Sequence, residues 1–176
     1  MIANVVRAKK RLAVLLTCHN RKQKTLRCLS GIESQINTDE FQLKIFLVDD
    51  GSSDGTAETV NREFPAVNIV QGDGSLYWTG GMRLAMERAC QEAFDYFLWV
   101  NDDTELYPTC LSRLYETYLN LIGNGVRHPI VVGNLCDPVD KNWTYGGSRK
   151  ASSWQPLRFS RVEPVEEPRR CDVFNA

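Results

Sequence analysis

Two adjacent carboxylates, Asp102 and Asp103, follow Asn101 at the end of the apolar run Tyr96-Phe97-Leu98-Trp99-Val100. Such a pair repels itself and is costly to desolvate unless a cation or hydrogen-bond donors compensate. Mg2+ or Mn2+ does so with oxygen ligands, commonly one or two carboxylates plus the oxygens of a substrate phosphate. Taken alone, Asn-Asp-Asp-Thr is a solvated turn, since these residue types favour loops. Two further polar clusters change the weighting. Thr17-Cys18-His19-Asn20-Arg21 follows the apolar run Leu12–Leu16, and Asp49-Asp50-Gly51-Ser52-Ser53-Asp54 follows Lys44–Val48.

The elements that must position these clusters alternate strand and helix. Leu12–Leu16 reads as a first strand, and Leu26, Leu29, Ile32 and Ile36 recur behind it at helical spacing. Lys44–Val48 is a second strand, and a helix over Thr56–Glu63 follows, with Ser53 or Asp54 as its cap. Val67–Val70 is a third strand. Leu76-Tyr77-Trp78-Thr79-Gly80-Gly81 reads as a loop before a helical stripe of Met82, Ala85, Met86, Ala89 and Ala93. Tyr96–Val100, five large apolar residues without a charge, suits a strand buried on both faces of a parallel sheet. A helix from Pro108 to about Gly123 and a strand at Ile130–Val132 complete the pattern, and residues 146–170 read as loop, β-hairpin or lid before a last strand begins at Cys171. In an open α/β sheet, loops at the carboxyl ends of strands converge on a ligand cleft.

The chain has 176 residues, 43% hydrophobic and 24% charged, which suits one substantial core and one domain. A net charge of −1 gives no reason to expect nucleic acid as a partner. The N-terminal Arg7, Lys9, Lys10 and Arg11 precede an apolar run too short for a signal peptide, and no stretch is long enough to span a membrane. Six scattered cysteines and two histidines, His19 and His128, complete no zinc spacing and read as reduced thiols and ordinary side chains. Asn142-Trp143-Thr144 matches a glycosylation sequon but reads as a loop or strand segment.

Each cluster has chemistry suited to a nucleoside diphosphate. The carboxylate of Asp50 can accept from a base imide N–H, Asp102 from ribose hydroxyls, and Asp103 can hold the cation that neutralises a diphosphate. A receiver domain or a haloacid-dehalogenase phosphatase would need its acids after the first strand, where Thr17-Cys18-His19-Asn20 stands instead. A dinucleotide fold would need G-x-G-x-x-G there.

The segments Leu15–Arg21, Val48–Asp54 and Trp99–Thr104, in that order and each behind a strand, resemble family 2 glycosyltransferases of the GT-A fold. That is an α/β, Rossmann-like, nucleotide-diphospho-sugar transferase fold of three layers with a mostly parallel sheet. Leu76–Gly81 is similar to a loop in a bacterial, rhamnosyltransferase-like subgroup. The resemblance implies nucleotide binding by Thr17, Cys18, His19, Asn20, Arg21, Asp49, Asp50, Gly80 and Asp102, with Mg2+ or Mn2+ at Asp103. Thr17 and His19 would line the base pocket, and the Trp78–Gly81 loop would approach the donor, with Trp78 as readily packing beneath it; Arg83 could reach phosphate but reads first as a surface arginine. Asn101 stands where the family's Asp-x-Asp-type motif begins, and could contribute only as a neutral acceptor.

The implied reaction moves a sugar with inversion from a UDP- or dTDP-sugar to a saccharide or lipid-linked acceptor, as in cell-surface polysaccharide synthesis. The place implied is cytoplasmic, compatible with peripheral association at the inner face of the membrane. Residues 1–11 would be an extension, 12–135 the nucleotide-binding core and 136–176 the start of an acceptor-side region. The family's general base is expected beyond Ala176, so the chain is expected to be the donor-binding part of a longer enzyme. Glu163, Glu166, Glu167 and Asp172 are left unassigned. The alternative is a module that binds nucleotide-sugar without turnover.

Overall fold

Seven consecutive buried residues, Leu12 to Cys18, place β1 (Lys10–Cys18) in the middle of a sheet. A strand that feeds helices on both sides loses the in-and-out alternation and becomes a continuous apolar run. The computed structural model describes residues 8–152, 154–163, 165 and 167–174. Two compact units divide the chain, Met1–Cys110 and Leu111–Ala176.

In the first unit, β1 pairs in parallel with β2 (Phe41–Asp49), β2 with β3 (Asn68–Gln71), and β1 on its other side with β4 (Tyr96–Trp99), giving the order β3-β2-β1-β4. The helices α1 (Lys22–Glu33), α2 (Thr56–Glu63) and α3 (Tyr77–Ala89) are the crossovers that parallel strands require. Ala13, Leu15, Phe46 and Val48, alternate residues of β1 and β2, pack with Met82, Ala85 and Ala89 of α3. On α1, the buried residues Thr25, Cys28, Leu29 and Ile32 fall at helical spacing and form one stripe. A fully buried leucine such as Leu15 or Leu47 contributes ~2 kcal/mol relative to exposure.

Five expectations need correction. The Tyr96–Val100 run is not buried on both faces: β4 has β1 as its only partner among the described residues, and Phe97 and Trp99 are 41% and 47% exposed. Aromatic residues suit an edge strand as well as a central one, and periodicity alone does not separate the two. Trp78–Gly81 is not a loop but lies in the opening turns of α3, while Ala93 falls outside that helix. Ile36 likewise lies beyond the end of α1. Ile130–Val132 forms no strand, and Ile130 is 79% exposed; the strand of that region is β5 (Leu135–Cys136).

The second unit carries α4 (Cys110–Gly123) across its start, then β5 paired antiparallel with β6 (Trp143–Tyr145). The hairpin of β7 (Gly147–Ser152) and β8 (Gln155–Arg161) is joined by β9 (Val173–Phe174), in the order β8-β7-β9. Asp172 ties this sheet together by accepting the Lys150 N–H at 2.9 Å. All six cysteines are free thiols. Among the described residues no helix is long and apolar enough to cross a membrane.

Candidate functional site

Parallel register decides where the site lies. Cys18 is level with Asp49, and Leu15 with Trp99, so the loops after β1, β2 and β4 leave the sheet side by side. Asn20, in the left-handed region at φ 52°, braces the first two. Its N–H donates to Ser52 Oγ at 2.9 Å, and its Oδ1 accepts the Ser53 N–H at 2.8 Å. That fixes the amide so that Nδ2 faces His19 Nε2 at 3.0 Å. His19 Nε2 is therefore an acceptor, and Nδ1 carries the proton donated to the Asp50 carbonyl at 2.5 Å. The exposed His19 ring is held on both of its nitrogens.

Asp49 and Asp50 are both buried, 1% and 3% exposed, with different tasks. Asp49 Oδ1 accepts the Ser52 N–H at 3.0 Å and shapes its own loop. Asp50 reaches out to the segment after β3, accepting the N–H of Gly74 at 2.8 Å and of Tyr77 at 2.9 Å. A carboxylate from the loop after β2 thus caps the start of α3, which is why the helix begins earlier than its own sequence suggests. Tyr77 takes a left-handed φ of 52° there. A Cβ at Gly72 would stand 2.6 Å from Asp50 Oδ1, so this approach requires glycine.

Thr17 is buried beneath α3, where a Cβ on Gly81 would lie 2.1 Å from its hydroxyl oxygen. Gly81 therefore sets how closely the helix meets the central strand. Gly80 lies in the first turn of α3, and its N–H is used by the Leu76 carbonyl at 3.0 Å. Cys18 offers a carbonyl to the Asp50 N–H at 2.9 Å. Its thiol is pushed up to about 12, first by burial and then by the nearby charges of Asp49 and Asp102, which makes it inert as a nucleophile.

The third loop carries the acid pair. Asp102 is buried, 5% exposed, whereas Asp103 is partly open. One guanidinium nitrogen of Arg21 sits 3.2 Å from Asp102 Oδ1 and 3.2 Å from Asp103 Oδ2. Lys24 approaches Asp103 at 3.5 Å, and the Thr25 hydroxyl donates to Asp102 Oδ2 at 3.4 Å. Burial raises the Asp102 carboxyl above the ordinary aspartate range; the Arg21 charge opposes this without cancelling it. Asp54 anchors α1 from the second loop, accepting the Lys22 N–H at 2.9 Å and the Thr56 N–H at 3.1 Å.

Contacts and short runs of backbone link Asp50 to the acid pair by two routes. On one, the Asp50 carbonyl accepts from His19, and two residues further along the chain Arg21 meets Asp102 and Asp103. The other passes from Asp50 through Tyr77 to Trp78, whose indole N–H donates to Asn101 Oδ1 at 2.8 Å. Among the described residues no group of three or more His, Cys, Asp and Glu gathers around one point. The donor set fits only a cation that takes most of its ligands from phosphate and water, as Mg2+ commonly does.

The sequence profile of Glycosyl transferase family 2 matches residues 13–163. The chain belongs to that family. No curated protein matches it. Among solved structures it is similar to the Pyrobaculum calidifontis mannosyltransferase PcManGT in complex with GDP-Man and Mn2+, at 20% identity and a TM-score of 0.54 over 75% of this chain and 37% of that one. It is also similar to residues 1–349 of S. aureus TarS in complex with UDP-GlcNAc, at 18% identity and a TM-score of 0.53 over 62% of this chain and 31% of that one. At these identities the likeness shows the fold, that of GT-A glycosyltransferases with a mostly parallel central sheet. The chain spans about a third of the length of those two structures.

Several residues of this edge escape motif reading. Lys24 and Thr25, in the first turn of α1, stand three and four positions after Arg21, the residue that precedes the helix, a spacing that brings the three to one side and is visible in the sequence. The bond from Trp78 to Asn101 joins residues 23 apart and has no local signal. Arg83 turns away from the acids to Glu87, 3.4 Å away.

Proposed function

We propose that this chain is the donor-binding part of a metal-dependent, inverting glycosyltransferase of hexosyltransferase type. In this reading it takes sugar from a UDP- or dTDP-sugar to a saccharide or lipid-linked acceptor, in cell-surface polysaccharide synthesis at the cytoplasmic side of the membrane. The observation that supports the reading is that Asp50 and the Asp102 and Asp103 pair lie on one sheet edge, with His19 on Asp50, Arg21 on the acid pair and Trp78 on Asn101 between them. Residues 12–135 form the nucleotide-binding core and 136–176 the start of the acceptor side. The bacterial, rhamnosyltransferase-like subgroup rests on Leu76–Gly81 alone.

Each carboxylate oxygen offers two lone pairs, so Asp50 can accept a pyrimidine imide N–H while keeping Gly74 and Tyr77. Recognising the base and shaping residues 72–77 then become one event. Thr17 and His19 line the base, Asp102 accepts from the ribose, and Arg21 faces the diphosphate. Asp103 holds Mg2+ or Mn2+, which when bound supplies Lewis-acid stabilisation of charge on the departing diphosphate. A carboxylate taking the acceptor proton completes the reaction class. None of the four late carboxylates is assigned to it: Glu163 and Glu167 are exposed, Asp172 is engaged by Lys150, and Glu166 lies outside the described residues.

That gap supports a second reading, a nucleotide-sugar-binding module without turnover. Incubation with UDP- and dTDP-sugars and Mn2+ separates the two. Release of nucleoside diphosphate is expected for the transferase; binding with every donor left intact leaves the module, and neither binding nor release overturns both.

A further inference from the structure

The acid pair is already neutralised by the chain itself. Asp102 and Asp103 contribute two negative charges, and Arg21 and Lys24 face them with two positive ones. Among the described residues no further His, Cys, Asp or Glu joins the pair at one point. Arg21 is the more intimate of the two, because one guanidinium nitrogen spans both carboxylates, whereas Lys24 meets Asp103 alone. The Arg21 side chain is half exposed and the Lys24 side chain 60% exposed, so either head group can leave without unpacking the core.

We propose that Arg21, aided by Lys24, is a built-in counter-cation that competes with a divalent ion for Asp102 and Asp103, so that the pair opens to metal when the guanidinium is drawn onto the donor's diphosphate. The release rests on the donor-binding reading above; the competition does not. A guanidinium matches phosphate oxygens as readily as carboxylate oxygens, and the two phosphates of a sugar nucleotide carry two negative charges, as many as the acids it leaves. The site is therefore weakly metal-binding on its own and tightly so with nucleotide diphosphate present. Positioning of the acids by Arg21 predicts the opposite single-mutant effect, since removing a residue that merely holds them would weaken metal binding.

The test is Mn2+ titration of the intact chain without nucleotide, counting free ion by electron paramagnetic resonance and checking fold by circular dichroism. Arg21→Met is expected to raise Mn2+ affinity about tenfold, because a full positive charge at contact distance is removed. Lys24→Met gives a smaller rise in the same direction, and Arg21→Lys, which keeps the charge, stays near wild type. Adding Asp103→Asn to Arg21→Met removes the gain. Unchanged or weaker Mn2+ binding in Arg21→Met, or a gain that survives Asp103→Asn, overturns the competition. If Arg21→Met fails to fold, an unchanged Lys24→Met decides against it. In a parallel UDP titration of wild type with Mn2+, failure to bind nucleotide sinks the donor reading while leaving the Mn2+ result standing.

Discussion

Asp50 and the Asp102–Asp103 pair sit on the same sheet edge with the same chemistry, yet their charge is compensated in opposite ways. Asp50 is held by the backbone N–H groups of Gly74 and Tyr77, which cannot leave without unwinding the start of α3. The acid pair is held largely by the side chains of Arg21 and Lys24, which can. One half of the edge is therefore built into the fold, and the other half is exchangeable. A ligand spanning both would meet fixed geometry at its base and adjustable charge at its phosphates.

The comparison breaks if the two halves respond alike. Asp50→Ala is expected to destabilise the fold by ~3 kcal/mol, since it leaves two inward-facing N–H donors without a carboxylate. Urea unfolding measures this. Asp103→Ala is expected to stay within ~0.5 kcal/mol in the same assay, while abolishing metal-dependent UDP or dTDP binding by calorimetry. Asp54→Ala removes the acceptor that serves the first turns of α1 and α2 together, and ~1.5 kcal/mol is expected from loss of capping alone. Trp78→Phe deletes the indole N–H donated to Asn101 and is expected to cost ~1 kcal/mol, with Trp99 fluorescence reporting the change beside it.

The smallest effect sharpens the comparison through pH. Burial raises the folded-state Asp102 carboxyl above its ordinary 3.8, so the folded chain holds this proton to higher pH than the unfolded chain does. Below the ordinary value both states are protonated and nothing is lost. As pH rises from there toward the raised folded value, Asp102 takes stability away, and above it the loss is constant. Asp102→Asn is therefore expected to gain on wild type in thermal unfolding between acid and neutral pH, with no gain at the acid end. A flat difference would mean that Arg21 fully compensates the buried charge.

What the sequence made legible was local or periodic. The βα alternation, the bounds of α2 and the placing of three polar clusters behind strands all follow from runs and turn residues within a few positions of one another. What stayed hidden was set from elsewhere in the chain. The start of α3 is decided by a carboxylate in the loop after β2, while its own Trp-Thr-Gly-Gly looks like a loop because glycine disfavours helix. The edge position of β4 depends on which strand pairs with which, and Tyr96–Trp99 reads the same in either place. Ile130–Val132 is apolar, yet three residues carry too little pattern to distinguish a strand from an extended link. Of the acid pair, the sequence revealed the charges but not their resident partners.

The outer side of β4 has a consequence for how the chain behaves in a tube. Among the described residues no strand pairs with this side, and a row of backbone donors and acceptors flanked by the exposed rings of Phe97 and Trp99 is a template on which foreign strands can add. Concentrated samples are therefore expected to self-associate through this rim, and Phe97→Lys, placing a gatekeeping charge there, should lower light scattering without touching the acids in the loop after the strand.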